Sequence, residues 1–281
     1  RLGDSKSPLL FVLVACVVNI VGDLALVAGL HLDAAGAAIA TVLGQMVGMV
    51  VGFVLVARNG VIQLTLRGFR PCPATIRDIY RIGGPAIVMQ SLSTVMSLGM
   101  NKILSLPKML ELYGDAPVFV LSAYFKLQSF VFMPVFGLNN GMVPIVAYNY
   151  GARRPDRIKQ TIKLSVIYAV SIMFIGLLIF QFLPNVLLDL FRSEQDTGDM
   201  LAIGVPALRI ISLSFLFAGF AIVCSSVFQA LGHGVLSLVV SVVRQLMILL
   251  PVAFLLSRIG GLAVVWWAFP IAELLSVGLS A

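Results

Sequence analysis

The chain has 281 residues, of which 60% are hydrophobic and 11% are charged, and its mean hydropathy is +1.05. This composition excludes a soluble globular domain, which needs more polar surface to remain in water. The formal net charge is +7, but the basic residues lie in connections between apolar runs and give no reason to expect a nucleic-acid partner. We predict an all-α polytopic protein of the lipid bilayer.

Eight apolar runs are each close to the roughly 20 residues that cross a bilayer as a helix. We predict helices because a membrane barrel would need shorter segments that alternate between apolar and polar residues. In chain order, the predicted spans are 8–30, 36–57, 84–106, 117–147, 160–183, 200–228, 235–256 and 261–280.

The sequence begins with the polar segment RLGDSKSP, without an initiator Met or a signal sequence. We therefore expect a fragment that lacks its natural N-terminus. The three cysteines, Cys16, Cys72 and Cys224, are odd in number, and two of them lie inside predicted spans. A disulfide framework is not expected.

Lysine and arginine are unevenly divided between alternate connections. Their counts are two in 1–7, five in 58–81 and five in 151–163, against one each in 184–199 and 257–260. The positive-inside rule predicts that loops 58–83 and 148–160 are cytoplasmic and that the acidic segment FRSEQDTGDM faces outside. Topology therefore explains the basic loop residues without a binding role.

The first span contains a carboxylate. Asp23 follows Asn19 by four residues, so the two side chains lie on the same face of a helix. From a cytoplasmic start near Pro8, Asp23 is about 22 Å along the helix and still within the hydrocarbon. We prefer a functional role at this depth to a helix end that reaches water. Thr41 crosses the same depth on the next span, so the three residues are predicted to hold a proton or a small hard cation.

A weak internal repeat relates the start of the chain to its last third. Leu2 and Gly3 align with Leu231 and Gly232, and residues 37–45 align with 265–273 at nearly the same offset, which pairs Gln45 with Glu273. Such repeats are common in transporters. At the positions equivalent to Asn19 and Asp23 the repeat has only apolar residues and a proline, so this ion chemistry is expected in the first half alone.

Several segments together resemble the multidrug and toxic compound extrusion (MATE) transporters. They are NIVGD, AAGAAIATVLGQ, YFKLQSFVFMPVFGLNNGMVPIVAYNYGARRPDRIK and ALRIISLSFLFAGFAIVCSSVFQALGHG. Members of this family have twelve helices in two six-helix bundles. The resemblance implies a two-bundle fold with an incomplete N-terminal bundle: 1–57 supplies its last two helices, 58–83 is a cytoplasmic linker and 84–281 is the C-terminal bundle.

The resemblance also implies roles for particular residues. In members with this pattern, the residues that match Asn19, Asp23 and Thr41 belong to a cation-coupling site, together with an Asp on helix one that lies outside this chain. Some members carry an acidic residue on helix seven, where this chain has Gln90. Gln90 is expected to contact substrate, although an amide cannot carry a proton.

Two basic residues lie inside later spans, each beside an amide: Lys126 with Gln128, and Arg244 with Gln245. One interpretation places these residues in the wall of a central substrate cavity, where the cations would favour anionic or zwitterionic groups. The other gives them a structural role, bonded to carbonyls of broken helices. The sequence leaves both open, and it predicts an interfacial position for Glu273 near the cytoplasm.

The segment PVFGLNNGMVP is a poor sequence for a straight helix. Pro134 and Pro144 each remove a backbone hydrogen bond, and Gly137 and Gly141 loosen the chain between them. A kink or an unwound turn is expected here. It serves either as a hinge or as a static bend.

The leading hypothesis is a secondary-active multidrug exporter of a bacterial inner membrane. It would export small organic compounds by proton or sodium antiport through alternating access, as a monomer with no cofactor beyond the coupling ion. No Walker loop occurs, which argues against direct use of ATP. The alternative within transport is a flippase for lipid-linked precursors. An enzyme is not expected, because no catalytic constellation is found and His31 and His233 fall in opposite surface loops.

The predicted topology can be tested by labelling cysteines in intact cells. In a cysteine-free background, Arg67→Cys and Arg154→Cys should resist a membrane-impermeant maleimide added outside, because both positions are predicted to be cytoplasmic. Ser193→Cys, in the acidic segment, is the matched control and should be labelled. External labelling of either arginine position would reverse the proposed orientation.

Overall fold

A computed structural model describes residues 6–58, 72–191 and 199–280. Every regular element in these ranges is helical, which confirms the predicted all-α class. The chain divides into two compact units, Arg1–Cys72 and Pro73–Ala281. Leu2 and Gly3 of the repeat, most of the basic loop that includes Arg67, and most of the acidic segment lie outside the described residues. Assignment of the units to two bundles stays a prediction.

The first unit is a pair of long helices. Helix α1 is Lys6–Asp23, a π-helical turn follows at Leu24–Gly29, and helix α2 is Asp33–Arg58. His31 and Asp33 adopt positive φ angles of 51° and 44° in the connection. Histidine and aspartate are among the few residues besides glycine that adopt positive φ angles with some frequency, so the sequence of this connection suits a tight reversal of the chain.

A stripe of small residues on α2 forms the contact with α1. Gly36, Ala40, Gly44 and Gly48 recur every four residues and are the buried residues of α2. A Cβ atom on Gly44 would lie 2.8 Å from the carbonyl oxygen of Ala15, so the backbones approach too closely for a side chain. Such small-residue stripes let membrane helices pack without a hydrophobic driving force.

The second unit contains eleven helices and a second π-helical turn among its described residues. The helices are α3 (Pro73–Leu104), α4 (Pro107–Tyr113), α5 (Ala116–Gly151), α6 (Pro155–Phe182), α7 (Pro184–Asp189), α8 (Asp199–Ser212), α9 (Phe215–Ala230), α10 (Gly234–Val242), α11 (Leu250–Ile259), α12 (Leu262–Val265) and α13 (Ala268–Ser280), with the π-helical turn at Val243–Leu249.

Five described segments are long and apolar enough to cross a membrane: Ser7–Gly29, Asp33–Arg58, Ala116–Gly151, Pro155–Phe182 and Gly234–Ile259. A sixth results when α8 and α9, which are bent by 48°, are counted as one broken span. The protein is therefore polytopic, as predicted, although two of the eight predicted spans do not meet the same criterion.

The predicted span 84–106 begins within α3 and extends two residues past its end at Leu104, and α3 does not meet that criterion because the segment carries many polar side chains. Gln90, Ser93, Thr94 and Ser97 recur at intervals of three or four residues and so share a face. These side chains, together with Asn101 and Lys102 near the end of α3, lower the mean hydropathy of the segment. The polar face lines a cavity in the second unit.

The predicted span 261–280 is two helices rather than one. The helix stops at Trp266 and Trp267 and resumes at α13. Pro270 has no N–H to donate to the carbonyl of Trp266, and its ring crowds the preceding turn. This proline accounts for the break.

The predicted span 200–228 is also broken, between α8 and α9. The hydroxyls of Ser212 and Ser214 donate to the carbonyls of Arg209 and Ile211, at 2.9 and 2.6 Å. Serine hydroxyls that bond back to the preceding turn compete with the backbone and bend helices. Gln181 of α6 also donates to the carbonyl of Arg209, at 2.8 Å, so the freed groups are satisfied within the protein.

A kink or an unwound turn was predicted around Pro134, Gly137, Gly141 and Pro144, and the unwound turn does not form, because α5 is a continuous 36-residue helix. All four residues are exposed, and a Cβ on either glycine would meet no atom within 4 Å. Because these residues lie on an exposed side of α5, the proline rings fit without a break in the helix. The irregular turns lie elsewhere, and the hinge role stays a prediction.

Aromatic rings form the centre of the second unit. Phe180 packs against Phe215 with ring centroids 5.0 Å apart, and Phe215 packs against Phe132 at 5.5 Å. Tyr124 contacts Phe180 and Phe269 in edge-to-face geometry. These near-perpendicular contacts are the favourable arrangement for aromatic pairs. They join α5, α6, α9 and α13.

The small-residue stripe predicts a steric effect of substitution. Gly44→Ala should destabilise the protein by roughly 1–3 kcal/mol, because the new methyl group has no room against the backbone of α1. Gly52→Ala is the matched control, since its Cβ would meet only the Phe11 ring at an ordinary 3.8 Å. Thermal unfolding in detergent should show a lower midpoint for Gly44→Ala alone. Equal midpoints for the two variants would contradict this close contact.

Candidate functional site

The structure brings Asn19 and Thr41 together across the first unit. Asn19 donates through Nδ2 to the Thr41 hydroxyl at 3.2 Å, and that hydroxyl donates to the carbonyl of Ala37 at 2.9 Å. Gly44 allows this approach, because a Cβ there would lie 3.0 Å from the Cβ of Asn19. The small-residue stripe thus places two predicted site residues in direct contact.

Asp23 is the last residue of α1, one turn beyond Asn19, and the π-helical turn begins directly after it. Its Oδ1 is fully buried and has no hydrogen-bond partner. An unpaired carboxylate oxygen that is shielded from water is costly, so such an atom needs a proton, a cation or a donor. Turns of π-helix occur often at functional sites, and here one adjoins the orphaned atom.

The three side chains supply a carboxylate, an amide and a hydroxyl. The bond to Thr41 uses the nitrogen of Asn19, which leaves its Oδ1 as an acceptor. Oxygen donors of this kind suit a proton held in a hydrogen-bond network or a hard cation such as Na⁺. Among the described residues no cluster of three or more His, Cys, Asp or Glu has the arrangement of a metal site.

The second unit contains a cavity of about 880 Å³ between α3, α5, α9, α13 and the segment from α10 through the π-helical turn. Four of the residues predicted to contact substrate line it: Gln90, Gln128, Arg244 and Gln245. These residues come from three different parts of the chain, so the helical packing assembles them.

Lys126 does not line this cavity, contrary to the first interpretation. Its side chain is exposed, and its Nζ lies 5.7 Å from the centre of the Phe191 ring. A cation over an aromatic face is a stabilising contact of its own. On α5, Gln128 faces the cavity whereas Lys126, two residues earlier, points to another side of the helix.

Arg244 forms an ion pair with Glu273. Arg244 Nη1 donates to Glu273 Oε1 at 2.9 Å, and the two side chains are 23% and 17% exposed. This carboxylate, for which an interfacial position was predicted, lines the cavity, and its depth in the membrane stays a prediction. Its other oxygen, Oε2, is buried without a hydrogen-bond partner, as is Oε1 of Gln245.

The arginine lies in the π-helical turn Val243–Leu249, which interrupts the span Gly234–Ile259. Both π-helical turns of the protein that fall in the described ranges thus adjoin a charged residue of a candidate site. The wide turn brings Arg244 and Gln245, which are consecutive, to the same cavity. In a regular helix consecutive side chains are separated by about 100°.

An additional polar cluster joins α9, α10 and α3 beside the cavity. Ser237 accepts from Gln229 at 3.2 Å, shares a short hydrogen bond with Ser225 and donates to the sulfur of Met89 at 3.4 Å. Sequence reasoning missed this cluster and the polar face of α3. The regular spacing of Gln90, Ser93, Thr94 and Ser97 was the signal that could have revealed the latter.

Aromatic side chains form much of the remaining wall. They are Tyr124, Phe125, Phe132, Phe136 and Phe269. Asn139, only 5% exposed, also lines the cavity, and neither its amide nitrogen nor its amide oxygen has a partner. The cavity therefore combines apolar surface with a few unsatisfied polar atoms, the arrangement typical of small-molecule sites.

The chain is similar to staphylococcal proteins named multidrug export protein MepA. It is 27% identical to that of Staphylococcus haemolyticus and 28% identical to that of Staphylococcus aureus, each over 257 residues. These alignments cover 91% of this chain and 54% of each relative. The chain thus spans about half the length of the curated relatives that it matches.

Solved structures show the same fold. An outward-facing multidrug resistance MATE family transporter of the MOP superfamily superposes with a TM-score of 0.84 at 20% identity, over 96% of this chain and 60% of that one. The Vibrio cholerae MATE transporter VcmN in its bent form gives a TM-score of 0.82 at 21% identity, over 99% and 61%. These likenesses confirm the MATE-like membrane fold.

The sequence model of one family covers most of the second unit. The MatE model matches residues 85–255, which include α5, the broken α8 and α9, and the segment that carries Arg244. Together with the relatives and the spanning helices, it identifies a multi-pass protein of the plasma membrane in a family of transporters rather than enzymes. The chain belongs to the MATE family.

Proposed function

We propose that this chain belongs to a secondary-active multidrug exporter. The exporter moves small organic compounds out of the cell by alternating access, in which the cavity opens to one side of the membrane at a time. Inward movement of a proton or a sodium ion drives the export. The proposal rests mainly on the cavity of the second unit as the substrate site. The coupling site is proposed at Asp23 because of its buried, unpartnered oxygen.

The cavity has the properties of a site for drug-sized compounds. Its volume of about 880 Å³ lies within the range of small-molecule sites. Five aromatic side chains offer flat apolar surfaces, which bind varied ring systems without strict shape requirements. The names of the staphylococcal relatives support export of several drugs, although those proteins are nearly twice as long as the matched region.

The flippase alternative has less support. It was based on Lys126 and Arg244 as two cavity cations for a pyrophosphate group, but Lys126 lies over Phe191 and Arg244 is paired with Glu273. Among the described residues that line the cavity, no unpaired lysine or arginine remains for a doubly charged headgroup. The relatives are also named for drug export rather than lipid transfer.

Coupling is proposed at Asp23 because its buried, unpartnered oxygen can exist in two states. A bound proton or Na⁺ satisfies the carboxylate, whereas release of the ion leaves a bare charge in a spanning helix. That free-energy difference provides a driving force for a change of conformation. Asn19, one turn earlier on α1, and its hydrogen-bond partner Thr41 supply the neutral oxygens of the proposed site.

Asp23→Asn tests the coupling directly. The amide keeps the size and polarity of the side chain but cannot exchange a proton or carry a charge. Substrate should still bind, while export driven by a pH or Na⁺ gradient falls to the rate of vesicles without transporter. The measurement is efflux of a fluorescent organic cation from proteoliposomes that contain the whole transporter.

Asp33→Asn is the matched control for this experiment. Asp33 is an exposed carboxylate in the same unit, and asparagine also tolerates its positive φ angle. This variant should export at the wild-type rate. Export by the Asp23→Asn protein with unchanged rate and ion dependence would show that the buried carboxylate is structural.

Asn19→Ala and Thr41→Ala should each weaken coupling less than Asp23→Asn. Each change removes one neutral oxygen and the 3.2 Å hydrogen bond, a loss of about 1 kcal/mol, or roughly a fivefold lower ion affinity. The midpoint of export against Na⁺ concentration or pH should shift while the maximal rate is retained. An Asn19→Ala protein as inactive as Asp23→Asn would argue against a site centred on the carboxylate.

A further inference from the structure

A buried asparagine in the cavity wall has no partner within the protein for its side-chain amide. Asn139, on α5, is 5% exposed, and neither its Nδ2 nor its Oδ1 has a hydrogen-bond partner. Buried amides are nearly always hydrogen-bonded, because an unpaired donor or acceptor that is shielded from water costs free energy. Asn139 lines the cavity, so a ligand there can supply both missing bonds.

A second buried asparagine shows that this is not a general property of α5. Asn149 is 8% exposed, and its Nδ2 donates to the carbonyl of Ile145, one turn earlier, at 2.8 Å. Asn139 makes no such bond. It also does not donate to the carbonyl of Asn140, which Pro144 leaves without a helical N–H donor. The backbone of α5 therefore does not use the Asn139 amide.

Two aromatic rings lie on the same face of α5 as this amide. Phe136 and Phe132 precede Asn139 by three and seven residues, a spacing that places all three on one side of a helix. All three line the cavity, and the two ring centroids are 6.4 Å apart at an interplanar angle of 53°. Phe136 is 51% exposed, so a planar ligand can lie against its ring.

We propose that Asn139, Phe132 and Phe136 form a subsite for planar compounds whose edge carries an N–H and a C=O side by side, as in an aromatic lactam. The lactam N–H donates to Oδ1 of Asn139, and Nδ2 of Asn139 donates to the lactam carbonyl. Rotation about χ2, for which asparagine has only broad preferences, turns the amide towards the ligand. The rings of the ligand pack against the phenylalanines, and Asn139 determines specificity for the polar edge.

The charges of the cavity leave this specificity to hydrogen bonds. Among the described residues that line it, only Arg244 and Glu273 carry a formal charge, and they bond to each other at 2.9 Å. The pair has no net charge, so a compound needs no charge of its own to bind. The inference rests on the proposed function only in treating this cavity as the ligand site.

Equilibrium binding to the purified whole transporter, without an ion gradient, tests the subsite. The probes are phenanthridinone, an uncharged aromatic lactam, and N-methylphenanthridinone, which keeps the rings and the carbonyl but has no N–H. The methylated probe leaves Oδ1 of Asn139 without a donor. Wild type should therefore bind the lactam at least about tenfold more tightly than its methylated derivative.

Substitutions separate the amide from the shape of the site. Asn139→Leu keeps the approximate volume but removes both polar atoms, so the two probes should bind with nearly equal affinity. If this variant does not fold, Asn139→Ala gives the same comparison. Asn149→Leu is the matched control, because Asn149 lies on the same helix outside the cavity lining, and it should keep the wild-type preference.

Thermal unfolding of the ligand-free proteins adds a second measurement. Asn149→Leu breaks the 2.8 Å bond to Ile145 and should lower the unfolding midpoint. Asn139→Leu breaks no hydrogen bond within the protein and should not lower it. A lower midpoint for Asn139→Leu, equal to that of Asn149→Leu, would show that the Asn139 amide stabilises the fold and would contradict the proposed role.

Two binding results would overturn the proposal. Equal affinities of wild type for the two probes would mean that no ligand edge bonds to Asn139 and that water alone satisfies its amide. An undiminished preference for the lactam in Asn139→Leu would mean that another side chain recognises the edge. Loss of driven export with an intact lactam preference would refute only the proposed export, and intact export without the preference would refute only the subsite.

Discussion

A bilayer offers no hydrogen-bond partners, and this constraint determines most of the structure. Every backbone group in the spans must be satisfied within the protein, so the described chain is helical and its breaks are closed by side chains. At the bend between α8 and α9, Ser212, Ser214 and Gln181 bond to the freed carbonyls. Polar atoms that remain without partners therefore stand out, and they occur at the candidate sites.

The two units meet this constraint by different means. In the first, glycines bring α1 and α2 so close that Asn19 bonds directly to Thr41, and among the described residues of that unit Asp23 alone has a buried unsatisfied oxygen. In the second, aromatic rings pack the centre, and the polar residues lie around a cavity. A close helix pair suits a small ion, and a cavity with aromatic walls suits an organic compound.

Much of this arrangement was predictable from the sequence. Apolar runs predicted the spanning helices, and the spacing of Asn19 and Asp23 predicted a shared face because helical geometry is local. The pairing of Arg244 with Glu273 was not predicted, since the two residues are 29 positions apart and only packing brings them together. Lys126 and Gln128 were assigned to one surface, but their side chains diverge around α5.

Breaks in helices were predicted least well. The Pro- and Gly-rich segment of α5 is continuous because its prolines and glycines lie on an exposed side of the helix, where the proline rings have room. The bend at Leu213 and Ser214 contains neither proline nor glycine. It depends on serine hydroxyls and on the side-chain amide of Gln181 from another helix. Sequence rules describe what a residue does to its own backbone, whereas this bend requires a partner 31 residues away.

The amide of Gln181 gives the bend a mechanical property. It bonds both to the Arg209 carbonyl, at 2.8 Å, and to the Ser212 hydroxyl, at 3.1 Å, and thereby fastens α6 to the end of α8. Ser214, two residues further on, lines the cavity. The bend thus resembles a pinned joint, in which one amide of α6 holds the end of α8 close to a residue of the cavity wall.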